Sequence, residues 1–201
     1  NRRFAPHIVK MKSLLEIRQE PKSIIITVNA GAIESDHWTQ DTEIGGGRII
    51  GEACHLIDLC VFLTGSLIKS VCVNSLGKDT DLSTDNLSFL LKFENGSNAV
   101  INYFSNGSNK YSKERLEVYS HGKTWIIDNY EITKAFGVKG FKTFKSKINK
   151  GHHEQFNQLI NNASYSGKPL IPAEELFNVT KASFCALESL EKNKWINLNE
   201  D

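Results

Sequence analysis

The chain has 201 residues, enough to bury one substantial core, so one domain is the expectation. Its 24 basic and 23 acidic side chains leave a net charge of +1, which gives no ground for a nucleic-acid partner or an acidic membrane surface. No apolar run reaches the ~18 residues of a membrane helix, and no signal-peptide pattern opens the chain, so a cytoplasmic protein is expected.

Asn1 is not methionine, and the chain is expected to begin partway into a longer protein. Pro6 suits a first helical turn, and Ile8, Met11, Leu14 and Leu15 give the helix its apolar stripe up to a stop near Pro21. Ser23 to Asn29 is β-branched and reads as a buried strand. Ala30 to Glu43 is a polar loop carrying His37, Trp38, Gln40 and Asp41; Trp38 suits either half-buried packing or the wall of a substrate pocket.

Gly45-Gly46-Gly47 then feeds a helix expected over Ile49 to Leu63. Ile50, Cys54, Ile57 and Val61 form its apolar stripe, and Gly65 closes it. On another face Gly51, Glu52, Asp58 and Leu59 surround His55 at helical spacings. A histidine between two carboxylates at a helix start suits proton transfer near neutral pH, although a solvated helix histidine has the same spacing.

Strands follow over Ile68 to Leu76, Leu87 to Phe93 and Asn98 to Phe104, with a charged loop at Lys78 to Asp85. Asn95-Gly96 marks one hairpin and His121-Gly122 another, between Leu116–Ser120 and Thr124–Asp128. Glu131 to Phe136 and Gly140 to Phe144 suit short edge strands, and the basic run Lys139 to Lys150 a solvated edge. Two helices close the chain: His152 to Ala163, with Phe156, Leu159 and Ile160 expected inward, and Ala173 to Leu190. Helices, then many strands, then helices predict an α+β domain, an open and mainly antiparallel sheet with helices on one face. Cys54, Cys60, Cys72 and Cys185 lack zinc-ligand spacing, which predicts free thiols and no metal.

The stretch Gly45-Gly46-Gly47, Glu52, His55, Ile57-Asp58 and Phe62-Leu63-Thr64-Gly65 resembles the signature of the Gfo/Idh/MocA family of NAD(P)-dependent sugar oxidoreductases. The variant Gly-Gly-Gly-Arg-Ile-Ile-Gly-Glu-Ala-Cys-His is similar to a subgroup fused behind a zinc-alcohol-dehydrogenase-like half. Weaker matches flank it: Asn1 to Pro6, Lys113 to Val118 with His121-Gly122, and Ala186 to Leu190 with Trp195 to Leu198.

The resemblance implies the C-terminal substrate and assembly domain of an enzyme that moves a hydride between NAD or NADP and a sugar or nucleotide sugar. A preceding nucleotide-binding domain is expected to hold most of the cofactor, since Gly-x-Gly-x-x-Gly is absent here. A homo-oligomer through the open sheet face is implied. His55 falls on the family's histidine and is the expected proton-transfer group. Asp58 would orient it or merely solvate the helix, and Trp38 and Gly51 would border the substrate. Gly51 stands where the family usually has aspartate, and Ala53 where it usually has glycine. Glu52 either takes over the carboxylate role or serves as a helix-start charge. Arg2 and Arg3 would lie toward the cofactor or form an interdomain salt bridge. Loss of the usual aspartate also fits a non-enzymatic sensor or scaffold that kept the fold.

Overall fold

A computed structural model describes residues 1–15, 20–34, 37–38, 44–77, 84–165, 167 and 169–199. Gln40, Asp41 and the charged loop up to residue 83 lie outside the described residues.

A 3-10 turn at Arg2–Phe4 leads into α1 (Pro6–Leu15), then β1 (Ser23–Asn29). A π turn at Ile49–Ala53 runs into α2 (Cys54–Thr64). Seven strands follow: β2 (Ile68–Ser75), β3 (Leu87–Phe93), β4 (Asn98–Phe104), β5 (Glu114–Ser120), β6 (Lys123–Asp128), β7 (Ile132–Phe136) and β8 (Thr143–Lys145). Then come α3 (His152–Tyr165), α4 (Ala173–Lys192) and the short β9 (Ile196–Asn197).

All nine strands join one sheet in the order β8-β7-β6-β5-β1-β4-β3-β2-β9. Every neighbouring pair is antiparallel except β1 with β4. The exception follows from connectivity: the chain leaves β1 through α2 and returns along the β2–β3–β4 meander, so β4 arrives in β1's own direction. The expected α+β architecture is therefore the one observed.

Alternation along the strands sorts side chains onto two faces. One row, Val71–Leu91–Ala99–Ile24–Val118–Trp125, is buried across the sheet under the helices. The next residue along each strand gives Cys72–Leu90–Val100–Ile25–Glu117–Ile126 on the open face, where Ile25 and Leu90 are exposed. Helix α4 packs on β2, and α2 lies between α4 and β4. Gly65 caps α2 in the left-handed conformation, as its sequence position predicts.

Two expectations are corrected. Of the expected stripe of the motif helix Ile57 and Val61 are buried, but Ile49 and Ala53 stand inward in place of Ile50 and Cys54, which are half-buried. The cause is the π turn: it takes up more residues per turn, so each rotates the chain less and a 3.6-residue period read from the first turn falls out of register. In α3, Phe156, Leu159 and Ile160 point outward instead of inward, 61%, 47% and 61% exposed. Their spacing is helical, but no other part of the described chain covers them.

His7 was not singled out by its sequence, yet it is fully buried and pins α1 to the sheet edge. Its Nε2 lies 2.9 Å from the Ser146 hydroxyl, which itself donates to the Lys147 carbonyl. Ser146 therefore accepts from Nε2–H, and Thr133, 2.6 Å from Nδ1, donates. This arrangement satisfies a neutral imidazole, and burial holds its pKa below the ordinary histidine value.

Candidate active site

The site is built on the glycine turn. Gly46 and Gly47 have φ of 68° and 71°, a succession that side chains strongly disfavour, and a β-carbon on Gly46 would press to 3.1 Å from Ile50. The turn delivers the chain into the π segment and then α2. Within α2, His55 is the only one of eleven residues left exposed. Gly51 is exposed one turn earlier, its backbone so close to Gly45 that a β-carbon would lie 3.2 Å from that carbonyl.

Three carboxylates stand around this turn, each already engaged. Asp58, one turn beyond His55, accepts two hydrogen bonds from Arg3, Nε at 3.0 Å and Nη2 at 2.5 Å. Arg3 also reaches Glu175 on α4 at 2.7 Å and lies 5.1 Å from the Phe62 ring. Glu52 turns toward the sheet, where its Oε2 accepts the Tyr103 hydroxyl at 2.5 Å. Its Oε1 is 3.6 Å from Nε of the buried Arg48, whose guanidinium stacks 5.1 Å from the Tyr103 ring. Glu114, at the start of β5, accepts both Arg2 Nε and Nη2, at 2.9 and 3.1 Å, and also Lys150 Nζ. Burial alone would raise the Glu114 pKa; the bonds and charges of Arg2 and Lys150 overcome it and hold it down at about 2.

His55 feels this network. Partial burial of the ring is the main cause that lowers its pKa, the Arg2 charge lowers it further, and Asp58 and Glu52 oppose. The imidazole is therefore neutral at pH 7 and can accept a proton from a hydroxyl brought to it.

The structure thus brings His55, Glu52, Gly51, Asp58, Arg2 and Arg3 to one place. The Trp38 ring is 61% exposed beside His37, 5.9 Å between centroids. Asp58 neither orients the imidazole nor sits free in solvent, because its carboxylate is taken by Arg3. Arg2 and Arg3 are both paired within this chain, so neither guanidinium is free to grip a pyrophosphate. With no glycine-rich phosphate cradle either, the residues present are not a fit for holding a dinucleotide by themselves. Among the described residues, no three His, Cys, Asp or Glu side chains converge as a metal site. The four cysteines are free thiols. No described helix is long and apolar enough to cross a membrane.

Glu114, Lys150, Tyr103 and Arg48 were missed from sequence, yet two carry a signal there. Glu114 shares the parity of the core residues Leu116 and Val118, and Tyr103 that of Ala99 and Ile101. A carboxylate or phenol on the buried side of a strand demands a polar partner.

The chain is similar to known proteins in three ways. The family described as the GFO/IDH/MocA C-terminal domain matches residues 20–124, more than half of the chain. A mouse protein, "Glucose-fructose oxidoreductase domain-containing protein 1", is 33% identical over 89 residues, which is 42% of this chain and 22% of that one. Two solved structures share the fold across nearly all of the chain. An NAD binding oxidoreductase from Klebsiella pneumoniae gives a TM-score of 0.75 at 16% identity, over 99% of this chain and 65% of that one. A levoglucosan dehydrogenase in complex with NADH and levoglucosan gives 0.79 at 14% identity, over 98% and 64%. The chain spans less than two thirds of the length of each of these proteins. With its model matched over more than half of the chain, the chain belongs to the GFO/IDH/MocA C-terminal domain family.

Proposed function

We propose that the chain is the substrate-binding and assembly part of a nicotinamide-dependent oxidoreductase acting on a sugar or nucleotide sugar. His55 moves the proton of the reacting hydroxyl. The reading is carried by one observation: on a helix otherwise buried or half-buried, His55 alone faces outward, and its surroundings keep it neutral. Family membership and the sugar bound by the levoglucosan dehydrogenase support the substrate class.

The nicotinamide, bound mainly by a separate nucleotide-binding domain, supplies the hydride chemistry. This chain's residues do the rest. His55 holds or releases the proton at the substrate oxygen. Gly51 leaves room for a hydroxyl beside the ring, and Trp38 serves as a wall of the substrate pocket. Asp58 acts through Arg3, fixing α2 to the N-terminal segment. Arg2 and Arg3 shape the cofactor-facing side without gripping phosphate. A second copy of the chain covers the open sheet face, where Cys72, Leu90, Val100, Ile25 and Ile126 form an apolar row interrupted only by Glu117. The test is the full-length protein, assayed with NAD and NADP against a panel of sugars and nucleotide sugars. A substrate-dependent change in nicotinamide absorbance that disappears in His55→Ala supports the reading; no turnover on any member of the panel opposes it.

One observation favours a second reading. Gly51 stands where the family usually has aspartate, and its tight approach to Gly45 leaves a side chain there little room. Glu52 is directed to Tyr103 and Arg48. A sensor or scaffold that binds sugar without turning it over fits this arrangement, and would show sugar binding by calorimetry with no nicotinamide chemistry.

A further inference from the structure

We propose that the β7–β8 hairpin carries a binding site, separate from the His55 cleft, for a ligand that joins an aromatic ring to phosphate: a nucleoside diphosphate in chemical class. The site stands whether or not the chain serves an oxidoreductase. The first observation is charge. From Ile132 to Lys150 the sequence has six lysines and no carboxylate. Lys150 is engaged by Glu114. Among the described residues, Lys134, Lys139 and Lys142 meet no carboxylate and donate no side-chain hydrogen bond. Scattered over a surface, such ammonium groups are simply solvated. Here all three border one cavity of about 640 Å³, with Phe136 and Phe141 in its wall. Small-molecule sites span roughly 300–1,000 Å³.

The second observation is that the hairpin is fixed in shape. Gly137, at φ 72°, packs so tightly on the β5–β6 turn that a β-carbon would lie 2.7 Å from the Gly122 carbonyl. The Ala135 N–H donates to the Lys142 carbonyl at 2.9 Å. Thr133, two residues earlier, is held by the buried His7. Phe141 packs against the core, with Lys10 Nζ of α1 5.9 Å from its ring centroid. The cavity therefore exists before any ligand arrives, and little ordering is left to oppose binding. Phe136 differs from these anchored residues: it is 56% exposed, an aromatic ring left uncovered beside the three ammonium groups.

Chemistry selects the ligand. Lysine serves phosphate oxygens as a point charge, and several lysines together match the several negative charges of a diphosphate. An uncovered aromatic ring stacks on a nucleobase. A second cavity, of about 480 Å³, adjoins the first, because Thr124 lines it and pairs with Phe136 across β6 and β7. Its Ser23, Ser120 and Lys123 offer two hydroxyls and a further cation to a sugar and its phosphates. The lining of the larger cavity is confined to one hairpin, which suits a small molecule rather than a strand of nucleic acid. Ser120 stands six residues along β5 from Glu114, the partner of Arg2, roughly 20 Å at about 3.3 Å per residue. The corner is thus remote from the site around His55.

The test titrates uridine diphosphate and adenosine diphosphate into the full-length protein by calorimetry, with pyrophosphate, uridine and an oligouridine strand as comparison ligands. The variants are Lys139→Glu with Lys142→Glu, the same pair changed to Arg, and Phe136→Ala. All three positions are exposed, so thermal unfolding should not move. The expected result is a diphosphate affinity weakened by about tenfold or more in the Glu pair, where two attractive charges become repulsive, and kept in the Arg pair. Phe136→Ala should weaken the nucleoside diphosphate by about fivefold or more and leave pyrophosphate unchanged. Failure of the wild-type protein to bind either nucleoside diphosphate overturns the proposal, as does an affinity unchanged in the Glu pair. Oligouridine bound far more tightly than either diphosphate overturns it and assigns the lysines to nucleic acid. Dissociation of an oligomer by Phe136→Ala, with diphosphate affinity unchanged, overturns it and assigns that ring to a second copy. None of these readouts needs turnover, so a failed oxidoreductase reading leaves them standing.

Discussion

Helices α2 and α3 have 11 and 14 residues, and both carry apolar side chains at helical spacing, yet α2 is buried on nearly every side and α3 on none. In α2 the polar exceptions are Asp58, engaged by Arg3, and His55, which faces outward. In α3 the apolar residues themselves face outward. The difference teaches that helical periodicity marks a face needing cover but does not say what covers it. For α2 the cover is this chain's own sheet and α4; for α3 no described residue supplies it.

The largest effect expected from breaking this contrast lies at the N-terminal segment that joins the two helices. Glu114→Ala strands Arg2 and Lys150 without their carboxylate and should cost about 3–5 kcal/mol in urea unfolding. The same pair gives a pH signature. The folded Glu114 pKa of about 2 lies below the unfolded value near 4.5, so its stabilisation is complete above the latter and is lost as pH falls toward the former. Acid titration of wild type against Glu114→Gln isolates that contribution.

Next in size is Leu59→Ala in α2. The side chain is 1% exposed, and a cavity there should cost about 2–5 kcal/mol. The matching change in α3, Ile160→Ala in the same 201-residue chain, should stay within about 0.5 kcal/mol. Equal losses at the two positions would erase the contrast. Tyr103→Phe removes the hydroxyl that holds Glu52 and should cost about 1 kcal/mol, since Glu52 keeps access to water.

The smallest effect belongs to His7. Its folded pKa lies below the unfolded value near 6.5, so the unfolded chain takes up more protons just below that pH and stability declines as pH falls through this window. His7→Gln should flatten the decline in thermal unfolding between pH 7 and 5.

How much of this was legible beforehand follows from the physics of each element. The strands were, because β-branched runs such as Ser23 to Asn29 read as strands directly, although that run reads as buried throughout and Ile25 lies exposed on the open face. The glycine turn and Gly65 were, because few other residues take their conformations. The true stripe of the motif helix was not, because a π turn leaves no trace in a 3.6-residue count. The ion pairs of Arg2 and Arg3 join residues more than fifty positions apart, and only the fold brings them together. Glu114 and Tyr103 were half-legible through their parity on β5 and β4. His55 was found by resemblance and spacing; its isolation as the one exposed residue of α2 came from the packing around it.

The measurement that bears most directly on the account is His55→Ala in the full-length protein, with turnover and thermal unfolding recorded on the same preparation. Proton transfer by a positioned side chain is worth about 10²–10⁴-fold, whereas removing an exposed polar side chain costs roughly 0.5 kcal/mol or less. The account predicts a loss of turnover in that range with an almost unchanged melting temperature. It also predicts a wild-type rate of substrate oxidation that falls, as pH drops, through a pKa below 6.5, a limb that the variant loses. Turnover preserved within a few-fold alongside an early melt would make His55 a structural residue and contradict the assignment.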